Sequence, residues 1–187
     1  MPTSGLGTIN IINNIGRNSS GISVINGKGQ VEGAKAIYFL NNTFTHESEQ
    51  PGFSVHRIPR YLLIKDNVLV GNGLDHKSPT SVISLNVIGG DTTGTIVIRD
   101  NTLKFIALNT IYYSYLINLF TNPVRSIVIE DNELIGTWRA IYIQPEVDTL
   151  VIRNNSFSKK LINSPTYVHW SATNDFIDVS NNMGDFN

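Results

Sequence analysis

The chain lacks cysteine, is poor in charge and has no long apolar run. None of its 187 residues is cysteine, which excludes disulfides and thiolate metal sites. Charged residues make up only 16%, the net charge is −1, and there is no basic cluster of the kind that binds nucleic acid or anionic membranes. No apolar run reaches the roughly 18 residues that a membrane-spanning helix needs. Neither nucleic acid nor a membrane is therefore expected as a partner.

Asparagine and glycine are abundant instead, with 22 and 15 residues. Both tolerate the backbone conformations that tight corners require. Hydrophobic residues make up 41%, which suffices for a sizeable core and argues against disorder. The composition favours repetitive β structure with asparagine and glycine at its corners.

A repeated pattern runs through the whole chain: apolar, any, apolar, two residues, then asparagine. It appears as INIINNI at 9–15, IYFLNNTF at 37–44, LLIKDNVL at 62–69, IVIRDNTL at 96–103, IVIEDNEL at 127–134, LVIRNNSF at 150–157 and IDVSNNMG at 177–184. The shared asparagines are Asn14, Asn42, Asn67, Asn101, Asn132, Asn155 and Asn182. Each match predicts a short strand of period two that ends at an asparagine corner.

A second strand is predicted in most repeats. Its candidates are ISVI at 22–25, FSVH at 53–56, VISL at 82–85, IYYSY at 111–115, IYIQ at 141–144 and YVHW at 167–170. No amphipathic helix pattern separates the strands, which argues against doubly wound α/β folds. Constant strands with connections of variable length indicate a parallel β-helix that has at least two walls.

Stacking the repeats on their asparagines predicts the interior of this β-helix. The two inward rows are aliphatic or aromatic: Ile9, Ile37, Leu62, Ile96, Ile127, Leu150 and Ile177 form the first, and Ile11, Phe39, Ile64, Ile98, Ile129, Ile152 and Val179 the second. The asparagines are expected to form an amide ladder. In one outward row Glu130 lies between Arg99 and Arg153, so opposite charges meet across adjacent strands.

The segments TIVIRDNTL at 95–103, SIVIEDNEL at 126–134 and RAIYIQPEVDTLVIRNNSF at 139–157 resemble the pectin-lyase-like superfamily of right-handed β-helices. The superfamily includes polysaccharide lyases, glycoside hydrolases, epimerases and bacteriophage tailspikes. The resemblance implies a groove along one wall that holds an extended polysaccharide. The predicted fold is all-β, a single-stranded right-handed parallel β-helix of about seven coils, in one domain spanning 1–187.

Some features of that superfamily are missing. The paired aspartates and Gly-His-Gly segment of polygalacturonases are absent, as is a calcium-binding aspartate cluster. No helical cap precedes the first repeat, so we expect a fragment of a longer chain or ends covered by a partner. An outward row, Tyr38, Leu63, Val97, Val128 and Val151, is apolar. It predicts either a subunit contact, as in trimeric tailspikes, or cover by the loops at 44–52 or 71–80.

Three carboxylates are candidates for catalysis. Asp148 and Asp175 are expected on adjacent coils about 5 Å apart, the separation of a retaining glycosidase pair. Glu146 in the same turn is a third candidate. The alternative is structural, because aspartate is common in turns and Arg125 would lie beside Asp148 in an ion-pair ladder.

Aromatic residues are the candidates for substrate binding. Tyr112, Tyr142 and Val168 are predicted to share one outward row of the second strand, Gln144 and Trp170 the next, with Trp138 in the preceding turn. Sugar rings stack on aromatic faces while amides bind their hydroxyls. Tyr112, Trp138, Tyr142, Gln144 and Trp170 could therefore form a sugar platform, or pack against a subunit or loop.

The leading hypothesis is a bacteriophage tailspike-like homotrimer, on a virion tail or otherwise extracellular, that recognises a bacterial surface polysaccharide with or without cleaving it. One alternative is a monomeric extracellular polysaccharide lyase or glycoside hydrolase. Another is a structural solenoid in a larger appendage. No cofactor or metal is expected, because the four histidines share no metal-ligand spacing, and His169 is predicted to face inward.

Overall fold

The computed structural model describes residues 7–19, 21–25, 34–47, 51–57, 59–73, 80–87, 94–107, 114–121, 123–137, 139–160, 168–170 and 174–184. These residues form twenty β-strands, with two-residue corners between β1 and β2 and at the equivalent places in the later repeats, and contain no helix. The described part of the chain accordingly has no helix of the length and apolarity needed to cross a membrane. The predicted all-β class is confirmed.

The strands are numbered in chain order. They are β1 (Thr8–Ile12), β2 (Ile15–Ser19), β3 (Ile22–Ile25), β4 (Ala36–Leu40), β5 (Thr43–His46), β6 (Phe53–His56), β7 (Tyr61–Lys65), β8 (Val68–Gly73), β9 (Thr80–Val87), β10 (Thr95–Arg99), β11 (Thr102–Ala107), β12 (Ser114–Thr121), β13 (Val124–Glu130), β14 (Glu133–Thr137), β15 (Arg139–Ile143), β16 (Val147–Arg153), β17 (Ser156–Lys160), β18 (Val168–Trp170), β19 (Asn174–Ser180) and β20 (Met183–Gly184).

Every third strand joins the same parallel sheet. Sheet 1 has the order β1-β4-β7-β10-β13-β16-β19, sheet 2 the order β2-β5-β8-β11-β14-β17-β20, and sheet 3 the order β3-β6-β9-β12-β15-β18. This arrangement is compatible with a parallel β solenoid. The sequence pattern did not predict sheet 2 as a separate sheet, because only two corner residues lie between its strands and those of sheet 1.

The predicted inward rows of sheet 1 are confirmed on the five strands β4, β7, β10, β13 and β16, whereas Ile177 and Val179 on β19 are exposed. Ile37, Leu62, Ile96, Ile127 and Leu150 are paired in register and fully buried, and so are Phe39, Ile64, Ile98, Ile129 and Ile152. Rows from the other two sheets meet them in the interior, where the ring of Phe53 stacks on Phe39 at 3.9 Å between centroids. Removing these side chains from water is the main stabilising contribution, about 1.5–3 kcal/mol for each large one.

The corner between sheets 1 and 2 is the same in every repeat. The residue before the ladder asparagine is Asn or Asp in a left-handed conformation: Asn13, Asn41, Asp66, Asp100, Asp131, Asn154 and Asn181, with φ between 51° and 59°. Asn and Asp tolerate this region better than other residues with a Cβ, which explains the Asx-Asn pairs of the repeat. The chain therefore turns at each pair and begins a strand of sheet 2.

The predicted asparagine ladder is confirmed. From Asn14 to Asn155, each ladder asparagine donates its Nδ2 to Oδ1 of the next at 2.9–3.0 Å, and its main-chain N–H to the same oxygen at 2.9–3.1 Å. Five of the asparagines, from Asn42 to Asn155, are buried. The ladder satisfies polar groups that would otherwise be buried without partners at the corner.

The predicted charged row lies on the outer face of sheet 1. Arg99, Glu130 and Arg153 are in register on β10, β13 and β16. Nε and one terminal nitrogen of Arg153 donate to the same Glu130 oxygen at 3.0 and 2.8 Å. Arg99 instead has a carboxylate oxygen of Asp100 at 3.8 Å.

Candidate functional site

The strict alternation of inward and outward residues breaks on three neighbouring strands of sheet 3. All five residues 81–85 of β9 are buried, and two consecutive residues are buried on each of the next two strands, Leu116 and Ile117 on β12 and Ala140 and Ile141 on β15. Residues three apart therefore lie on the same outer face, which strict period two forbids. On β12 these are Tyr115 and Asn118, and on β15 they are Arg139 and Tyr142.

These four residues form an aromatic and polar cluster on sheet 3, here called the tyrosine patch. Tyr115 is in register with Arg139, and Asn118 with Tyr142. The rings of Tyr115 and Tyr142 lie 5.2 Å apart at a 42° angle, and the guanidinium carbon of Arg139 lies 6.0 Å from the Tyr142 ring centroid. All four side chains are partly exposed, so the patch can meet a ligand.

Asn118 has an unused hydrogen-bond acceptor. Its Oδ1 is buried, and no residue in the described ranges donates to it. A buried polar atom without a partner costs about 1–3 kcal/mol, and because this oxygen is enclosed by the protein, a ligand on the outer face does not reach it. The row that contains Asn118 continues along the sheet through Ser23, Ser54 and Ser84 on one side and Tyr142 on the other.

The predicted sugar platform is only partly within the described residues. Tyr142 is half-buried in the tyrosine patch, and Gln144 is exposed directly after β15. Tyr112 and Trp138 lie outside the described residues. Tyr115, Asn118 and Arg139 were missed. Tyr115 stood in the predicted strand at 111–115, but strict alternation gave no reason to group it with a residue three positions later.

The predicted register of β18 was wrong by one residue. Trp170 is paired with Ile143, an interior position, and not with Gln144. His169, predicted to face inward, is paired with the outward Tyr142, and Val168 is paired with the interior Ile141. The sequence does not fix the register of β18, because the connection before this strand differs in length from those of the other repeats. Only the pairing of β18 with β15 determines it.

The three candidate carboxylates lie near the start of two strands of sheet 1. Asp148 is exposed on β16, between Val147 and Thr149, which pair with Asn174 and Phe176 of β19. Asp148 and Asp175 therefore occupy equivalent positions on adjacent strands, about 4.8 Å apart at the backbone. On the other side of β16, the equivalent position of β13 is the exposed Arg125. Asp148 therefore has Arg125 at the equivalent position on one side and Asp175 on the other.

Glu146 is exposed in the corner between β15 and β16, and its main-chain oxygen accepts a hydrogen bond from Val124 at 3.1 Å. Gln144 and Glu146 thus lie in the corner between β15, which carries Arg139 and Tyr142, and β16, which carries Asp148. Among the described residues, no group of three or more His, Asp or Glu is placed to hold a metal ion.

The predicted apolar row of sheet 1 is in register and half-buried. Tyr38, Leu63, Val97, Val128 and Val151 follow one another across β4, β7, β10, β13 and β16. Polar residues end the row on both sides, Asn10 on β1 and Asp178 on β19. An aliphatic stripe with polar ends is typical of a contact surface.

Comparison of the chain with known protein families, with curated proteins and with solved structures finds no match.

Proposed function

We propose that the chain is a right-handed parallel β-helix of seven coils that binds an extended bacterial surface polysaccharide on the tyrosine patch. In this proposal it acts as a tailspike-like receptor-binding domain. The observation that carries it is the pairing of Tyr115 and Tyr142 beside Asn118 and Arg139 on one outer face. The resemblance of the repeats to pectin-lyase-like β-helices agrees with it.

The chemistry of the patch suits a sugar. Tyrosine faces stack on the apolar faces of pyranose rings, and their hydroxyls stay in water. The guanidinium of Arg139 can donate to ring hydroxyls or to a carboxylate substituent. Together these groups give both stacking and directional hydrogen bonds, as small-molecule sites require.

The row through Asn118 is only partly open to a ligand. Ser54, Ser84, Asn118 and Tyr142 lie on successive strands about 4.8 Å apart, so the row spans about 14 Å. Ser54 and Ser84 are buried, whereas Asn118 and Tyr142 are partly exposed. A polysaccharide therefore contacts this row at the end formed by Asn118 and Tyr142.

Binding is tested with a panel of purified bacterial capsular polysaccharides and O-antigen chains, measured by calorimetry. Tyr142→Ala should weaken the bound member at least tenfold, since loss of a stacked ring costs about 1.4 kcal/mol. Tyr61→Ala is the matched control. The rings of Tyr61 and Tyr38 lie 5.9 Å apart between centroids on sheet 1, away from the patch. Removal of the Tyr61 ring should therefore leave binding unchanged.

Equal losses from the two tyrosine variants would refute the patch as the binding site. A folded protein that binds no member of the panel would favour the structural solenoid instead.

Cleavage of the polysaccharide is a second candidate function, favoured by the equivalent positions of Asp148 and Asp175. Release of new chain ends by the wild-type protein, abolished in both Asp148→Asn and Asp175→Asn, would assign the pair to catalysis. Asp178→Asn on β19 is the control, because Asp178 lies in a different row, paired with Val151. Activity that survives both substitutions would assign these aspartates to the ion-pair ladder.

We also propose that the apolar row of sheet 1 packs in a homotrimer. Light scattering should then give a mass of three times 20.7 kDa. Val97→Lys at the centre of the row should reduce that mass to one chain, because a buried lysine at a subunit contact is left unpaired. A wild-type monomer would overturn the trimer and leave the single-chain lyase or hydrolase as the alternative.

A further inference from the structure

Phe120 is an exposed aromatic residue in the middle of sheet 3. Its side chain is 49% exposed, although β12 has a neighbouring strand on each side, β9 and β15. Among the described residues outside the first and last strands of each sheet, the only other exposed large apolar side chain is Val68. A missing neighbouring strand therefore does not explain the exposure of Phe120, and its ring face is available to a ligand.

Phe120 lies on the same outer face as the tyrosine patch. Leu119 is fully buried between Asn118 and Phe120, so these two residues face outward about 6.6 Å apart along β12. The pairing of Leu119 with Ile143 continues to Gln144, whose main-chain N–H donates to the oxygen of Leu119 at 3.0 Å. Phe120 and the exposed Gln144 therefore form the next outward row beside the patch.

The outward residues of β12 and β15 form a strip two strands wide, here called the transverse strip. Its long axis runs along the strands, at right angles to the stacking of the repeats. The five residues from Tyr115 to Phe120 span about 16 Å, the length of a short oligosaccharide. The strip consists of Tyr115, Asn118 and Phe120 on β12 and of Arg139, Tyr142 and Gln144 on or directly after β15.

The strip is closed along one side. On the neighbouring β9 all residues from 81 to 85 are buried, including Ser84 in the row of Asn118. Ser54 on β6, the next residue of that row, is buried as well. A ligand that contacts Asn118 therefore does not continue over β9, and an extended ligand lies along the strip instead.

We propose that the bound polysaccharide runs along the transverse strip, across the stacked repeats, and that Phe120 and Gln144 form a second sugar subsite. This inference rests on the proposed function of the tyrosine patch. One sugar unit stacks on Tyr142, and a later unit of the same chain stacks on Phe120.

The second subsite suits a neutral pyranose. Phe120 has a ring face but no polar group, so it takes the apolar face of a sugar. The amide of Gln144 both donates and accepts hydrogen bonds, as the hydroxyls at the edge of that sugar require. Glu146 is exposed two residues after Gln144, and its carboxylate disfavours an acidic sugar at this end of the strip.

The test uses oligosaccharides of increasing length, made by partial acid hydrolysis of the polysaccharide in the panel that binds most tightly, and measures affinity by calorimetry. Affinity should rise at the length that reaches both Tyr142 and Phe120. Phe120→Ala should remove that rise and weaken the long oligosaccharides about tenfold, because a stacked ring is lost. Short oligosaccharides, which occupy the tyrosine patch alone, should bind this variant and the wild type equally.

Two further variants separate the ring and the direction of the ligand. Phe120→Tyr keeps the ring face and should bind every oligosaccharide within about twofold of the wild type. His56 is exposed on β6 in the row of Phe120, two strands and about 9.6 Å away, and lies off the strip. His56→Ala should therefore leave every affinity unchanged.

Saturation-transfer NMR shows which sugar unit contacts the protein. In Phe120→Ala one unit of the long oligosaccharide should lose its signal, while the unit on Tyr142 keeps its own. Far-UV circular dichroism checks that each variant retains its strands.

The outcomes distinguish this inference from the proposed function. If Tyr142→Ala weakens binding and Phe120→Ala does not, the tyrosine patch stands and the second subsite is overturned. If His56→Ala weakens the long oligosaccharides as much as Phe120→Ala, the ligand runs along the stack and the transverse path is overturned. If the wild type binds no polysaccharide of the panel, both proposals fail.

Discussion

Asn101 and Asn132, 31 residues apart in the chain, are joined by two hydrogen bonds to one atom. The main-chain N–H and Nδ2 of Asn101 both donate to Oδ1 of Asn132, at 3.1 and 3.0 Å. Asn101 in turn accepts both equivalent bonds from Asn67, at 3.0 and 2.9 Å. The asparagine side chain thus replaces a main-chain carbonyl at each corner, and the corners stack as the strands do.

Replacing Asn101 by alanine should strongly destabilise the fold. Two buried donors of Asn67 would lose their acceptor, and the main-chain oxygen of Ile64 would lose its donor. With about 1–3 kcal/mol for each buried group left unpaired, we expect a loss of roughly 3–5 kcal/mol. Urea denaturation gives the free energy of unfolding.

Asn14→Ala is the control for that experiment, because Asn14 is exposed at the end of the ladder and accepts no bond from a described residue. Its loss should cost less than about 1 kcal/mol. Equal losses in the free energy of unfolding at the two positions would mean that burial does not increase the contribution of a ladder asparagine to stability.

Gly71 provides space for a buried imidazole. A Cβ at this position would lie 2.7 Å from Cδ2 of Phe105 and 2.8 Å from Cε1 of His46, which is 1% exposed. Gly71→Ala should therefore cost about 1–3 kcal/mol through overpacking. Gly7→Ala, where a Cβ meets nothing within 4 Å, should have little effect on the thermal midpoint.

The double variant Gly71→Ala with His46→Ala distinguishes a clash from a backbone effect. Removal of the imidazole relieves one of the two close contacts, so the cost of the alanine should fall. If the alanine destabilises the protein equally when His46 is absent, the destabilisation comes from the contact with Phe105 or from the backbone.

The left-handed corner residue should prefer glycine to alanine. Asp131 is exposed and has a φ of 56°. Asp131→Ala should cost about 1–2 kcal/mol because a Cβ is disfavoured there, whereas Asp131→Gly should be close to neutral. Chemical denaturation compares the pair, and identical stabilities would show that the corner does not depend on this conformation.

The ion pair between Arg153 and Glu130 should contribute little. Arg153 is 47% exposed and Glu130 13%, so solvent screens the pair from one side. A double-mutant cycle with alanine at both positions should give a coupling of about 0.5–1 kcal/mol that declines as salt is raised to about 1 M. A coupling that does not respond to salt would contradict a solvent-screened pair.

The sequence alone determined the corners and the interior of sheet 1. The Asx residues at φ near 55° and the ladder asparagines stand at constant positions after each strand, and the aliphatic rows follow period two. Both signals are local, since φ preference depends on one residue and side-chain alternation on its neighbours. Both signals are present in every repeat, so they do not depend on the length of the connections between strands.

Only the tertiary structure decided the candidate site. Paired burial of Leu116 and Ile117, and of Ala140 and Ile141, breaks the alternation and brings Tyr115, Asn118, Arg139 and Tyr142 to one face. The register of Trp170 against Ile143 likewise depends on how β18 pairs with β15. Local preference leaves such choices open, because a one-residue shift costs nothing until neighbouring strands form hydrogen bonds and the core accepts one set of side chains.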